Sequence, residues 1–402
     1  MTTISKSDAR EHLLNKTKPP GSLGQLEAWA EKLILVQQTL HPRVDRTRVV
    51  LFAADNGLAH LSQYPKQVTR EMLRNVAEGG AAINCLCRAH GIDLRVSDLG
   101  VDLPPDARYA AIDHFRLLDH GTATPTTTTT SSPSLPDMAA GQQRIPAMDP
   151  VAFSYALSHG RKALHAARAD SVQVLGVGEL GIGNSAVAAA LLAAATHLPA
   201  SRTTGAGTGV AGDRLTAKID AVQGLVDAWR DLIPNVPLKA TMPLDQQQVP
   251  DATIVDHRWA AVAQTLGDLE ITAMATVVHE AARSSSSRIL VVVDGFISQV
   301  ALLYALLMYP ADAVAMVTVS VISHCSAEAP GTLLLQTLRT AAVMRGVAEE
   351  DADAWTRPMG SWEMRLGEGS GAALVIPLLK SAAAVASDMA TFAGAGVSTA
   401  SS

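Results

Sequence analysis

Cysteine is nearly absent from this chain of 402 residues. Three of them, Cys85, Cys87 and Cys325, make neither a disulfide framework nor a four-cysteine zinc site. The pair Cys85 and Cys87 lies in an Ala/Leu stretch of helical period, where small buried thiols are expected. Aromatics are scarce as well, at 4 % against 48 % apolar residues, so the core has to be aliphatic. No cationic excess exists. The 32 Lys+Arg face 38 Asp+Glu for a net charge of −6, which excludes a nucleic-acid binder that tracks phosphates. The first residues carry no apolar leader core. Gly295 to Ala311 is the most membrane-like run, but it holds Ser298 and Gln299, stops at Pro310 and is bracketed by Asp294 and Asp312. A reduced, cytoplasmic protein is expected, with neither membrane nor nucleic acid among its partners.

What is present is strand-like and helix-like in alternation. Arg48 to Ala54, Leu94 to Asp98, Ser171 to Leu175, Arg288 to Val293 and Ala313 to Ile322 are apolar runs rich in Val, Ile and Leu. Continuous apolarity suits strands buried on both faces, as in a parallel sheet. Helical patterning fills Arg70–His90, Pro150–Arg168, Ser185–His197 and Val300–Met308. The fold class is therefore α/β, a Rossmann-like parallel sheet with flanking helices. The length exceeds what one core usually fills, so a second unit is expected. The division places a large α/β domain over 41–345 and a small helical domain over 1–40 and 346–402. The Thr/Ser/Pro tract at 121–136 reads as a flexible surface loop.

Acidic residues follow the strand-like runs: Asp55, Asp98, Glu179 and Asp294, with His324 after the fifth. In open parallel sheets the ligand crevice lies outside the carboxyl ends of the strands, where these groups would collect. Capping of the next helix is the competing explanation for any one of them. Asp55, Asp98 and Asp294 also leave a magnesium site open, although Mg²⁺ usually takes one or two carboxylates plus substrate phosphate.

Three glycine loops add chemistry. Gly176 to Ser185 matches G-x-G-x-x-G, whose backbone N–H groups approach phosphate at a helix N-terminus. An NAD site would want an acidic residue about 20 positions on. No Asp or Glu occurs between Glu179 and Asp213, so a phosphate cradle of Gly181, Gly183, Asn184 and Ser185 fits better. Gly207, Thr208 and Gly209 offer further donors, with Lys218 as a cation for the same phosphate. In Gly367-Glu368-Gly369, a carboxylate flanked by glycines is free to point into a cleft. His279-Glu280 reads as solvated helix surface, since no zinc-helix pattern contains it.

In this order the motifs resemble one family, the nicotinate-nucleotide–dimethylbenzimidazole phosphoribosyltransferases of cobamide assembly. The resemblance runs from Lys18-Pro-Pro-Gly-Ser-Leu-Gly24 through Phe52 to Gly57, Tyr64 to Thr69 and Gly79 to Asn84. It continues through Gly178 to Asn184, Gly207 to Gly209 with Lys218, Asp294 to Ser298, Ser323-His324 and Arg365 to Gly369. It implies transfer of the 5-phosphoribosyl group from nicotinate mononucleotide to 5,6-dimethylbenzimidazole, releasing nicotinate and α-ribazole 5′-phosphate. It further implies a homodimer and requires neither cofactor nor metal. Glu368 then corresponds to the catalytic base and Glu179 to a second carboxylate of the nucleotide pocket. Tyr64, Pro65 and Gln67 fall at the benzimidazole pocket. Asp294, Ser298, Ser323, Gly367 and Gly369 complete the substrate contacts.

Departures from the family pattern occur at Asn56, at Glu328 to Thr332 and in the acidic run from Glu349 to Arg357. Two other readings therefore stay open: a non-catalytic nucleotide-binding homologue, and the same transfer to a purine or phenol. An NAD-dependent dehydrogenase has only the glycine fingerprint in its favour. Residues 122–134 carry no charge and almost no apolar side chains, and loop length costs little free energy. Replacing them with a short Gly/Ser link should leave turnover and melting temperature nearly unchanged, and loss of either would show that the tract packs on the rest of the chain.

Overall fold

The computed structural model describes residues 3–101, 112–114, 144–235, 252–283 and 289–398. The Thr-rich tract at 121–136 lies outside them. Six strands form one sheet: β1 Thr47–Ala54, β2 Asp93–Gly100, β3 Ile112–His114, β4 Val174–Leu180, β5 Leu290–Val293 and β6 Ser320–Ile322. All pairings are parallel, in the order β3-β2-β1-β4-β5-β6. The α/β class and Rossmann-like sheet expected from the sequence are what is found. Every residue of β1 and of β4 is buried, which explains their unbroken apolarity. Helices Leu269–Ala282 and Ser370–Asp388 both lie over β1, β4 and β5, so one covers each face.

Several boundaries differ from the expectation, each for a packing reason. Ala313–Val319 is a helix, and only Ser320–Ile322 is strand. Its buried positions, 313, 316, 317 and 319, follow helical spacing and leave Val314 exposed. β4 runs on through Gly176 and Gly178, so the first part of the glycine fingerprint is strand rather than loop. Arg70–His90 divides into helices Val68–Ala77 and Ala82–His90, broken at Gly79, whose φ is 84°. His279 is not solvated. It is buried, stacks on Tyr309 with ring centroids 3.5 Å apart, and bonds Asp312 Oδ2 at 2.9 Å. Of the cysteine pair, Cys87 is buried and Cys85 exposed.

The terminal segments meet each other. Helix Gln25–Gln37 packs on Ser370–Asp388, His12 bonds the Ala386 carbonyl at 2.8 Å, and Lys16 bridges to Thr391. Ser370–Asp388 has the length and apolarity of a membrane span, yet it serves as a core helix against β4 and helix Ala82–His90.

Gly160, in helix Pro150–Ala169, shows how closely the layers approach. A Cβ there would overlap the Ala273 carbonyl oxygen and stand 2.7 Å from Thr276 Cβ. Gly160→Ala should lower stability by about 1–3 kcal/mol despite a helix-propensity gain of roughly 1 kcal/mol. An unchanged urea midpoint would show that the two helices can separate without cost.

Candidate active site

Strand order reverses between β1 and β4, and a cleft of about 530 Å³ opens beyond their carboxyl ends. β4 delivers Glu179 and Leu180 to its floor. The chain then turns through Gly183, φ 108°, where a Cβ would stand 2.7 Å from Ala59 N. Helix Asn184–Thr196 starts there, so its first amides face the cleft without partners one turn back. Gly207 and Thr208 face the same space, and Thr208 Oγ1 meets Ser62 Oγ at 2.8 Å across the rim. Val68, Met72, Ile182, Phe296 and Leu366 give the cleft its apolar lining.

Glu368 enters on an unusual backbone. Gly367, Glu368 and Gly369 have φ of 80°, 58° and 69°, three left-handed residues in succession. Asp294 imposes this turn. Its Oδ2 accepts from Gly369 N at 3.0 Å, and its Oδ1 accepts from Gly371 N at 2.7 Å and Ala372 N at 3.1 Å. A carboxylate from β5 thus caps the helix Ser370–Asp388, as the helix dipole favours. Gly178 gives the turn room, because a Cβ on it would overlap Gly369 N. A Cβ on Gly367 would overlap Glu179 Oε1, so the two glutamates share one corner of the cleft.

That corner is acidic and dry. Burial pushes Glu368 up to about 7, with Asp294 adding to the effect. Burial raises Glu179 to about 8 against the Asn184 Nδ2 hydrogen bond, and Asp294, Glu368 and Asp268 push the same way. Behind them, Asp268 is raised to about 7 by burial, and Glu270 is raised well above its ordinary value by burial, Asp268 and Glu179. Burial also lowers His324, against the pull of Asp294. Lys218 is lowered to about 8 by burial.

Of the residues marked by the sequence, Glu179, Glu368, Tyr64, Gly181, Gly183, Asn184, Ser185, Gly207, Thr208, Ser298 and Gly367 line the cleft. Pro65, Gln67, Gly209, Lys218, Asp294, Ser323 and Gly369 are absent from the lining. Lys218 donates to Ser185 Oγ at 3.1 Å and to the Gly205 carbonyl at 2.9 Å, bracing both glycine loops from behind. Ser323 Oγ bonds His324 Nδ1 at 2.9 Å. Thr69, Met72, Phe296, Ser326 and Glu328 line the cleft unannounced. For Met72 a signal exists: it lies one helical turn after Val68, on the same face. Asp55, Asp98 and Asp294 do not converge. Asp55 pairs with Lys66 at 3.3 Å, Asp98 accepts from Gly100 and Val101, and Asp294 holds the helix start. Among the described residues, no group of three or more His, Cys, Asp and Glu is placed to hold a metal.

A family model described as phosphoribosyltransferase matches residues 2–349 and 352–397. The nicotinate-nucleotide–dimethylbenzimidazole phosphoribosyltransferase of Cupriavidus taiwanensis is 36% identical, with 96% of this chain and 93% of that one covered. The enzyme of the same name from Photobacterium profundum is 32% identical, with 99% of each covered. A solved structure of that name from Thermus thermophilus superposes with TM-score 0.73 at 30% identity, covering 98% of both chains.

The raised Glu368 carries a stability consequence. Its ordinary value is 4.5 and its folded value about 7, so between these the folded chain keeps a proton that the unfolded chain has lost. The contribution is whole below pH 4.5 and is lost as pH rises through about 7. Glu368→Gln cannot ionise, so relative to the unmutated chain it should gain about 3 kcal/mol between pH 4.5 and 8. Urea unfolding at both pH values checks this; parallel curves would place Glu368 in water.

Proposed function

We propose a function from the premise that this chain belongs to the nicotinate-nucleotide–dimethylbenzimidazole phosphoribosyltransferase family. It transfers the 5-phosphoribosyl group of nicotinate mononucleotide to 5,6-dimethylbenzimidazole, giving nicotinate and α-ribazole 5′-phosphate for the nucleotide loop of cobalamin. The observation that carries the mechanism is the meeting of Glu368 with a phosphate cradle and an apolar lining in one cleft. In this reading the phosphate sits at the amides of Gly183 to Ser185 and of Thr208, where backbone donors and the helix dipole favour an anion. Lys218 adds a cation behind the loops. The benzimidazole lies against Val68, Met72, Phe296 and Leu366, with Tyr64 at the mouth.

Chemistry then occurs at C1′ of the ribose. The bond to the pyridinium nitrogen breaks, and its electron pair neutralises that ring, so nicotinate leaves without a proton. A benzimidazole nitrogen attacks C1′ from the opposite face, which turns the β donor into an α product. The other benzimidazole nitrogen carries the proton that must depart, and Glu368 accepts it. Glu179, raised by burial to about 8, is a second carboxyl in the same corner and, keeping its proton, can donate a hydrogen bond to the bound nucleotide. The reading places Glu368 on the small helical domain of 1–40 and 346–402, against the large domain of 41–345. It extends to a homodimer and a cytoplasmic setting, which the family resemblance supports.

Because Glu368 must be ionised to accept the proton, transfer should rise with pH along a limb near 7. Glu368→Gln should lower kcat about 10²–10⁴-fold and abolish that limb. Nicotinate release at saturating nucleotide and base measures both; a variant as fast as the parent across the pH range would remove Glu368 as the base.

A further inference from the structure

Glu328 enters the cleft from the segment after β6 and is only 8 % exposed. Its Oε2 accepts from Gly207 N at 3.1 Å, and a Cβ on Gly205 would overlap it. Its Oε1 is buried, and among the described residues no group donates to it. The nearest cation, Arg365 Nη1, stands 3.9 Å away and donates instead to the Gly207 carbonyl at 2.6 Å. Lys218 Nζ is committed to Ser185 and Gly205. An acceptor left bare in a buried wall is costly, so its position beside the phosphate loop calls for a donor from the ligand.

The reactants offer few. Phosphate and the nicotinate carboxylate are acceptors, the pyridinium ring has no N–H, and the single benzimidazole N–H is used at Glu368. Only the 2′- and 3′-hydroxyls of the ribose remain, and the ribose is the group bonded directly to the phosphate arm. We propose that Glu328 Oε1 accepts a hydrogen bond from a ribose hydroxyl of the nucleotide, making Glu328 a determinant of ribose over deoxyribose. The geometry suits a double task. One carboxylate oxygen holds the Gly207 amide in register while the other reads the sugar, as acidic residues read ribose in dinucleotide folds. This inference rests on the phosphoribosyl-transfer reading of the cleft.

The test compares nicotinate mononucleotide with its 2′-deoxy and 3′-deoxy analogues at saturating dimethylbenzimidazole. The unmutated chain should prefer the ribonucleotide over at least one analogue by roughly 10–100-fold in kcat/KM. Glu328→Gln keeps a carbonyl for Gly207 N but offers an amide NH₂ in place of the second acceptor. It should bring the ratio to within about 3-fold. Equal losses on all three nucleotides would reduce Glu328 to a brace for the loop and overturn the proposal. So would an unmutated chain that does not discriminate, a result independent of how the variant folds. Calorimetric binding of the same nucleotides reads the ratio without turnover. Discrimination in binding with no transfer would sink the proposed function and leave the role of Glu328 standing.

Discussion

The cleft depends on the carboxylate of Asp294. It leaves the end of β5 and takes the amides of Gly369, Gly371 and Ala372, which no earlier turn of their helix can satisfy. That one side chain fixes the start of Ser370–Asp388, the left-handed turn before it and the direction of Glu368. The far part of the helix packs on Gln25–Gln37, so the two ends of the chain anchor a turn that the centre of the sheet aims.

Burial of acidic groups settles a second problem, how an anionic nucleotide enters an acidic cleft. Burial raises Glu179 to about 8 and Glu368 to about 7. The two glutamates therefore hold protons to higher pH than ordinary carboxyls, which lowers the negative charge that phosphate and nicotinate would meet. For the proposed role of Glu368 as base, a value near 7 combines a sizeable ionised fraction with enough basicity to take a proton. Stability is lower for holding such groups in place, the usual relation at an active site.

Much of this is legible in the residues, because the relevant signals are local. β1 and β5 announce themselves by continuous Val, Leu and Ile, and Glu368 by its flanking glycines. The glycine turn at 181–185 stands between a strand and an alanine helix, as its pattern requires. What stays hidden depends on distant partners. Asp294 looks like a substrate-facing carboxylate until its acceptors bind amides 75 to 78 positions away. His279 has a polar neighbour and no visible reason to be inside; the reason is the ring of Tyr309, supplied by the residue just after a helix that ends at Met308. Ala313–Val319 carries the β-branched residues of a strand, yet it is a helix packed on Gln25–Gln37 and Leu269–Ala282. Lys218 is legible as a cation near phosphate, but not as one that braces two loops from behind.

Gly178 and Gly369 have a consequence for descent. The backbone of the turn at Gly369 occupies the space that any side chain on Gly178 would need, although 190 positions of chain separate them. A lineage cannot change the strand residue and keep the turn, nor replace the turn and find the strand residue still useful as glycine. The two positions should pass between relatives as a unit, kept together or lost together. A relative that retains the glutamate but has lost either glycine would be one in which this carboxylate has been given other work.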